Sequence, residues 1–165
     1  MAYAPSNLTH FEQALHSGKL FFMTGFQTLN NGDTFFVKIV TPSAKDVHIY
    51  WDISSNTEME SYLYEDVTAG VSGGTSVTPL NANRISADAS GVTVTAGVTV
   101  NSGTFAYDKI IDSDHEGSDS RQVKQGISSL GKGRILKRGK TYVREFKSNA
   151  DDNVINFMAE WIEED

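Results

Sequence analysis

The sequence of 165 residues contains no cysteine and no long run of apolar residues. The lack of cysteine excludes a disulfide framework, a thiolate metal site and a cysteine nucleophile, so packing, strand pairing or oligomerisation must stabilise the fold. A membrane-spanning helix needs roughly 20 apolar residues, and residues 1–7 carry neither a basic nor an apolar signal region. We therefore predict a protein that is made in the cytoplasm and has no membrane partner.

Apolar and aromatic residues are sufficient for one core. Hydrophobic residues make up 39% of the chain, with nine Phe, six Tyr and two Trp. A chain of this length usually folds as one domain. We predict a single domain over residues 19–165, preceded by a short N-terminal segment.

Charge is distributed unevenly along the chain. Residues 121–147 carry nine basic side chains and one acid, Glu145, while the rest of the chain is strongly acidic and the overall net charge is -7. Oppositely charged zones can steer neighbouring copies or a partner into register. Lys and Arg also neutralise phosphates, but the basic segment has few aromatic residues and the pI is near 5.0, so nucleic acid is not the predicted partner.

Most of the chain has the alternating pattern of β-strands. The turn Asn30-Asn31-Gly32-Asp33 predicts a hairpin-like reversal, and residues 91–100 alternate Val with Thr as a half-buried strand requires. Roughly eight or nine short strands separated by turns are typical of a β-sandwich. The sequence therefore predicts an all-β fold, a jelly-roll-like antiparallel β-sandwich, with a long loop at about residues 112–133.

The first 18 residues differ from the rest. Leu8, Phe11 and Leu15 have helical spacing over about two turns, which is too short to be stable alone. Residues 1–18 are therefore predicted to form an extended N-terminal arm or a short helix that reaches away from the domain.

Several short motifs resemble a known family. These are His16-Ser17-Gly18, Val47-His48-Ile49-Tyr50-Trp51-Asp52, Tyr62-Leu63-Tyr64-Glu65, Thr78-Pro79-Leu80-Asn81-Ala82-Asn83-Arg84, Ile135-Leu136-Lys137-Arg138-Gly139-Lys140-Thr141-Tyr142 and Glu160-Trp161. Together they resemble small virion structural proteins of tailed bacteriophages, among them capsid decoration (cement) proteins. The resemblance implies a jelly-roll-like fold, self-association as a homo-dimer or homo-trimer, and binding to the major capsid protein. It implies no catalytic residues.

No motif in the sequence predicts an enzyme, a cofactor or a metal site. The four histidines lack short metal-ligand spacing, and no serine lies in a nucleophile elbow. Acidic residues cluster at Asp112, Asp114, Glu116 and Asp119 beside His115, but they do not have the spacing of a calcium loop. We interpret that cluster as a solvated loop, and we predict no catalytic, cofactor-binding or metal-binding residues.

Three hypotheses about function follow. The first is a non-enzymatic capsid decoration protein on the exterior of the virion, which binds the major capsid protein shell and itself. Its predicted partner-binding residues are Phe11, Leu15, His16, Arg121, Lys124, Lys132 and Arg134. The second is a carbohydrate- or receptor-binding jelly roll of a virion tail or head fibre, in which Tyr50, Trp51, Tyr62 or Tyr64 could stack on sugar rings, although their strand-centre positions favour core packing. The third is a small hydrolase, which no motif in the sequence supports.

Overall fold

The computed structural model describes residues 9–116 and 133–165. Within those ranges the chain forms one helix and thirteen strands. The elements are α1 His10–His16, β1 Leu20–Leu29, β2 Thr34–Val40, β3 Asp46–Ser55, β4 Met59–Glu65, β5 Val71–Ser72, β6 Thr75–Val77, β7 Leu80–Asn81, β8 Thr93–Ala96, β9 Thr99–Val100, β10 Lys109–Glu116, β11 Arg134–Leu136, β12 Thr141–Ser148 and β13 Asn153–Glu164.

Two antiparallel sheets pack against each other as a sandwich. One has five strands in the order β11-β3-β13-β1-β7, and the other has six in the order β10-β4-β12-β2-β8-β6. The strands β5 and β9 form a separate two-stranded ribbon. The predicted all-β class and antiparallel sandwich are confirmed, while the jelly-roll topology stays a prediction.

The core lies between the two sheets and follows the alternation of the strands. Buried and partly exposed residues alternate strictly along β4, because successive side chains of a strand point to opposite faces. The inward positions of both sheets are filled by aliphatic and aromatic side chains, among them Val37, Ile39, Phe146, Phe157 and Trp161. One hydrophobic cluster therefore joins the sheets.

The turn at residues 30–33 does not close a hairpin. Gly32 has the positive φ of +86° that the reversal requires. However, β1 belongs to the five-stranded sheet and β2 to the six-stranded sheet, so the chain crosses the sandwich here. The prediction of a reversal is confirmed, and the implied pairing of the two strands is wrong.

The Val–Thr stretch at residues 91–100 is also divided. Gly97 has a φ of +66° and separates β8, which joins the six-stranded sheet, from β9, which pairs with β5. Val92, Val94 and Val98 are all buried, so the predicted apolar side of the stretch is correct even though it is not one strand.

Helix α1 lies on the end of the five-stranded sheet. Thr9 caps it through a capping box with Glu12, in which each side chain bonds the other residue's backbone N–H. Ala14 is buried against Leu20 and Ile162. Of the two predicted alternatives, residues 10–16 adopt the helix, and that helix packs on the domain instead of extending away from it.

The acidic cluster predicted to lie in a loop belongs partly to a strand. Residues 112–116 continue β10, which pairs with β4 after a register shift between Ile110 and Asp112. The loop prediction for residues 112–116 is therefore wrong, because pairing to the edge of a sheet overrides the polar local sequence. The remainder of the predicted loop, residues 117–132, lies outside the described residues.

Candidate docking face

The side of the five-stranded sheet that points away from the core carries many apolar residues. Among the residues that strand alternation and register place there are twelve that we call the outer face. They are Phe22, Thr24, Phe26, Thr28, Tyr50, Asp52, Ser54, Leu80, Ile135, Asn156, Met158 and Glu160. Val154, His48 and the α1-covered pair Leu20 and Ile162 lie on the same side. A solvated face of an antiparallel sheet usually alternates polar residues with the core set. Six of these twelve are aromatic or aliphatic, so the outer face departs from that pattern.

Exposure of the apolar residues is substantial. Phe26 is 69% exposed, Ile135 67% and Leu80 45%. Large apolar side chains exposed on one side of a sheet are a typical mark of a site of interaction. The outer face is therefore the best candidate for a docking surface among the described residues.

A row of residues crosses the middle of the outer face from strand to strand. Tyr50 of β3 lies opposite Glu160 of β13, which lies opposite Phe22 of β1, which lies opposite Leu80 of β7. A Cβ atom at Gly133 would collide with the Tyr50 ring, so the ring lies directly over the backbone that leads into β11. The row thus places one carboxylate between two aromatic side chains.

Two carboxylates on the outer face have no counter-charge among the described residues. Within residues 9–116 and 133–165, neither Glu160 nor Asp52 forms a hydrogen bond or an ion pair. Partial burial raises the pKa of the Glu160 carboxyl above its ordinary value, and the negative charge of Asp52 adds to the effect. None of the twelve residues is Lys or Arg. The outer face is consequently apolar and negatively charged.

The predicted partner-binding residues of the N-terminal segment lie at one end of this sheet. Phe11 and Leu15 are partly buried against the small cluster formed by Ala14, Leu20 and Ile162, so they hold the helix in place. His16 is exposed in the last turn of α1. The structure therefore gives Phe11 and Leu15 a packing role and leaves His16 accessible.

The predicted basic contact residues are only partly described. Arg121, Lys124 and Lys132 lie outside the described residues. Arg134 begins β11, where its guanidinium lies 3.6 Å from the Asp112 carboxylate. The four predicted basic residues are thus not shown to share one surface.

Much of the described basic segment is paired within the chain. Lys137 binds Glu65 at 2.8 Å, Arg138 binds Asp46 at 2.7 Å, Lys140 binds Asp66 at 2.8 Å, and Arg144 binds Asp112 at 2.9 Å. The positive charge of these residues is therefore partly balanced within the chain, because acids that are distant in sequence lie beside them.

A small pocket opens between the edges of the two sheets. It measures about 110 Å³ and is lined by Trp51, Asp112, Asp114, Arg134 and Arg144, with neighbouring aliphatic residues. The buried Arg144 guanidinium donates to Ser61 at 2.7 Å and lies 5.5 Å from the centre of the Trp51 ring. Burial lowers the pKa of Arg144, and the Asp112 carboxylate opposes that effect. Ligand pockets are usually about 300 Å³ or more, so we assign this charged cluster a structural role.

The aromatic residues considered for sugar stacking do not lie together. Trp51 points inward and packs against Phe146, whereas Tyr50 lies on the outer face. Tyr62 and Tyr64 occupy the outward side of the six-stranded sheet, and the Tyr64 hydroxyl donates to Glu145 at 2.6 Å. Core packing is therefore the correct prediction for Trp51 and the wrong one for the three tyrosines.

A second aromatic cluster covers part of the six-stranded sheet. Phe105 and Tyr107 contact Tyr64 edge-on, with ring centres 5.0 Å and 4.6 Å away. Such edge-to-face contacts stabilise the loop that carries Phe105 and Tyr107. Because these rings pack on one another, they do not form an open stacking platform.

Two histidines meet at the end of the five-stranded sheet. Glu164 lies 2.6 Å from His10 and 3.4 Å from His48, which links α1 to β13 and β3. Across residues 9–116 and 133–165, no group of three or more His, Asp or Glu side chains is arranged to hold a metal ion. The described helix has seven residues and is too short to cross a membrane.

Comparison of the chain with protein-family models, with curated proteins and with solved structures found no match. The outer face was not among the sequence-based predictions. Its signal is the run Leu20-Phe21-Phe22-Met23, in which apolar residues occupy both faces of a strand. That run could have indicated a strand with two contact surfaces.

Proposed function

We propose that this chain is a non-enzymatic structural protein that docks on a larger protein assembly through the outer face and also associates with itself. The proposed setting is the exterior of a tailed-phage virion, where the chain would act as a capsid decoration (cement) protein on the shell of the major capsid protein. The sequence resemblance suggests this setting. Docking itself is supported by the surface chemistry of the five-stranded sheet.

The observation that carries the proposal is the exposed apolar surface of the outer face. Phe26 and Ile135 expose about two thirds of their surface, and Phe22, Tyr50 and Met158 are only partly covered. Interface centres are enriched in aromatic residues and Met. Water contact with such groups is unfavourable by about 25 cal/mol per Å² of apolar area, so covering them with a partner stabilises the complex.

The size of the outer face fits a repeated contact better than a large permanent one. Five strands spaced about 4.8 Å apart, with six or seven residues at about 3.4 Å each, would give roughly 400 Å², and the face is at most that large because β7 has two residues and β11 has three. A standard interface covers about 800 Å² on each partner, so this face supplies at most about half of one. Neighbouring surfaces and repetition over a shell would supply the remaining affinity.

The test is co-sedimentation of the purified chain with empty shells of its candidate coat protein. We expect saturable binding at a fixed ratio to coat subunits. Phe26→Ser should weaken binding at least tenfold while leaving the free energy of unfolding within about 0.5 kcal/mol, because surface substitutions of exposed side chains have small effects on folding. The matched control is Tyr107→Ser, which removes an exposed aromatic ring from the loop that packs on the six-stranded sheet and should leave binding unchanged.

Two results would count against the proposal. If the wild-type chain does not sediment with the shells, the proposed capsid function is wrong. If Phe26→Ser and Tyr107→Ser bind alike, docking does not use the outer face.

A further inference from the structure

We propose that Glu160, together with Asp52, receives one cationic side chain, Lys or Arg, from the protein on which the outer face docks. The partner surface is therefore basic as well as apolar. This inference rests on the proposed docking function and names the chemistry of the partner.

The first argument is geometric. Glu160 lies directly opposite Tyr50 on one neighbouring strand and Phe22 on the other. Residues directly opposite in an antiparallel pair have Cβ atoms about 5 Å apart, so an aromatic side chain flanks the carboxylate on each side. A carboxylate between aromatic groups suits a cation, because aromatic ring faces attract ammonium and guanidinium groups and the carboxylate supplies the opposite charge.

The second argument is the missing counter-charge. Other buried carboxylates of this protein have a cation from their own chain: Glu163 has Lys45 at 3.3 Å and Glu65 has Lys137 at 2.8 Å. Glu160 is partly buried and has no such partner among the described residues. A half-buried charge without a partner disfavours folding. A partner that brings a cation would relieve that penalty in the complex.

The third argument concerns the second carboxylate. Asp52 lies opposite Met158, two residues from Glu160 along β13, so the two acids are diagonal neighbours. Their mutual repulsion contributes to the raised pKa of Glu160. A cation placed between them would interact favourably with both.

The same charges argue against a second copy of the chain as the occupant. Face-to-face pairing of two outer faces would place the Glu160 and Asp52 carboxylates of both copies in one apolar interface without any Lys or Arg from that face. Like charges brought together at an interface are strongly unfavourable. Self-association must therefore use another surface.

The experiment compares Glu160→Gln with the wild-type chain in two assays. The substitution keeps the size of the side chain and removes its charge. In the free protein we expect an unchanged or increased melting temperature, since an unpaired carboxylate is removed. In co-sedimentation with coat shells we expect binding about tenfold weaker and less dependent on salt, since one charge pair has been lost. A purely structural residue would not combine retained stability with weaker binding.

The controls address charge and position. Asp52→Asn should weaken binding in the same direction, whereas Glu60→Gln, the same change on the outward side of the other sheet, should not. Zero-length carbodiimide coupling of the wild-type complex should join Glu160 or Asp52 to a Lys of the coat protein. If the cation is instead an Arg of the coat protein, substitution of that Arg should abolish binding.

The outcomes separate the two proposals. Shells that bind wild type and Glu160→Gln equally, at all salt concentrations, would overturn the cation inference while leaving docking intact. Shells that bind neither the wild-type chain nor Glu160→Gln would overturn both the docking proposal and the cation inference. A loss of binding shared by Glu60→Gln would show a general charge effect and would also overturn the inference.

Discussion

The buried Glu163 carboxylate attaches the loop before β8 to the end of β13. Its side chain is completely buried. It accepts hydrogen bonds from Ser90 Oγ at 2.6 Å, Gly91 N at 2.9 Å, Val92 N at 3.3 Å and Trp161 Nε1 at 3.2 Å, and it pairs with Lys45 Nζ at 3.3 Å. Glu163→Gln keeps the shape of this side chain but replaces one acceptor oxygen by a donor. We therefore predict that the substitution destabilises the protein markedly.

The magnitude follows from the lost contacts. An amide oxygen in the place of Oε1 can keep the bonds from Ser90, Gly91, Val92 and Trp161. The amide nitrogen in the place of Oε2 then faces Gly91 N at 3.0 Å and Lys45 Nζ at 3.3 Å, which are also donors. Hydrogen bonds to charged groups contribute about 1.5 to 3 kcal/mol each, so the loss should be about 3 kcal/mol in total. For a chain of this size that lowers the melting temperature by roughly 6 to 12 °C.

The effect should depend on pH. Burial alone would raise the pKa of Glu163, but the hydrogen bonds from Ser90, Gly91 and Trp161 and the contact with Lys45 outweigh it and hold the pKa below its ordinary value. A carboxyl with a lowered folded-state pKa stabilises the protein above its unfolded pKa, about 4.3, and that contribution is lost as the pH falls through the folded-state pKa. The difference between the variant and the wild type should therefore be full at neutral pH and should shrink in acid.

The assay is urea unfolding followed by tryptophan fluorescence at neutral pH and near pH 3. Glu164→Gln is the matched control, because Glu164 is 40% exposed and its ion pairs with histidine should contribute at most about 1 kcal/mol. A loss of less than about 1 kcal/mol in Glu163→Gln at neutral pH would refute the reasoning. So would a difference that is equally large in acid.

Two further substitutions test other contacts. Arg144→Ala should cost about 3 kcal/mol in urea unfolding, because it leaves Asp112 without its buried partner and empties the space beside Trp51, whereas Arg144→Met should cost less; equal losses would contradict this. Thr9→Ala removes the cap of α1 and should weaken the helix by about 1 kcal/mol, seen as faster amide exchange confined to residues 10–16; unchanged protection there would show that packing alone holds the helix.

Local sequence predicted the turn at Gly32 and the apolar side of the strands, but it missed the strand at residues 112–116. The reversal at Gly32 and the buried valines of residues 91–100 follow from φ preferences and from alternation, which depend only on neighbouring residues. The same information could not assign strands to sheets. A turn that joins β1 to β2 has the same chemistry whether those strands pair or lie in opposite sheets.

The residues of the candidate site were harder to predict from the sequence than the strands and turns. Four basic residues were predicted as contact residues from the charge density of residues 121–147. Other basic residues of the same segment, Lys137, Arg138 and Lys140, are paired with acids of the same chain. An ion pair between distant residues leaves no local pattern. Charge density alone therefore does not reveal which charges a partner can reach.

The sequence by itself determined the all-β class, the existence of one core and the absence of cysteine chemistry, because composition and period-two alternation are local properties. The tertiary structure decided which of the two faces of each strand is covered. Glu160 meets Tyr50 and Phe22 only because β3, β13 and β1 are adjacent in one sheet, although Phe22 and Tyr50 are far from Glu160 in the chain. A docking surface assembled across strands in this way depends on long-range pairing, which the alternation within a single strand does not specify.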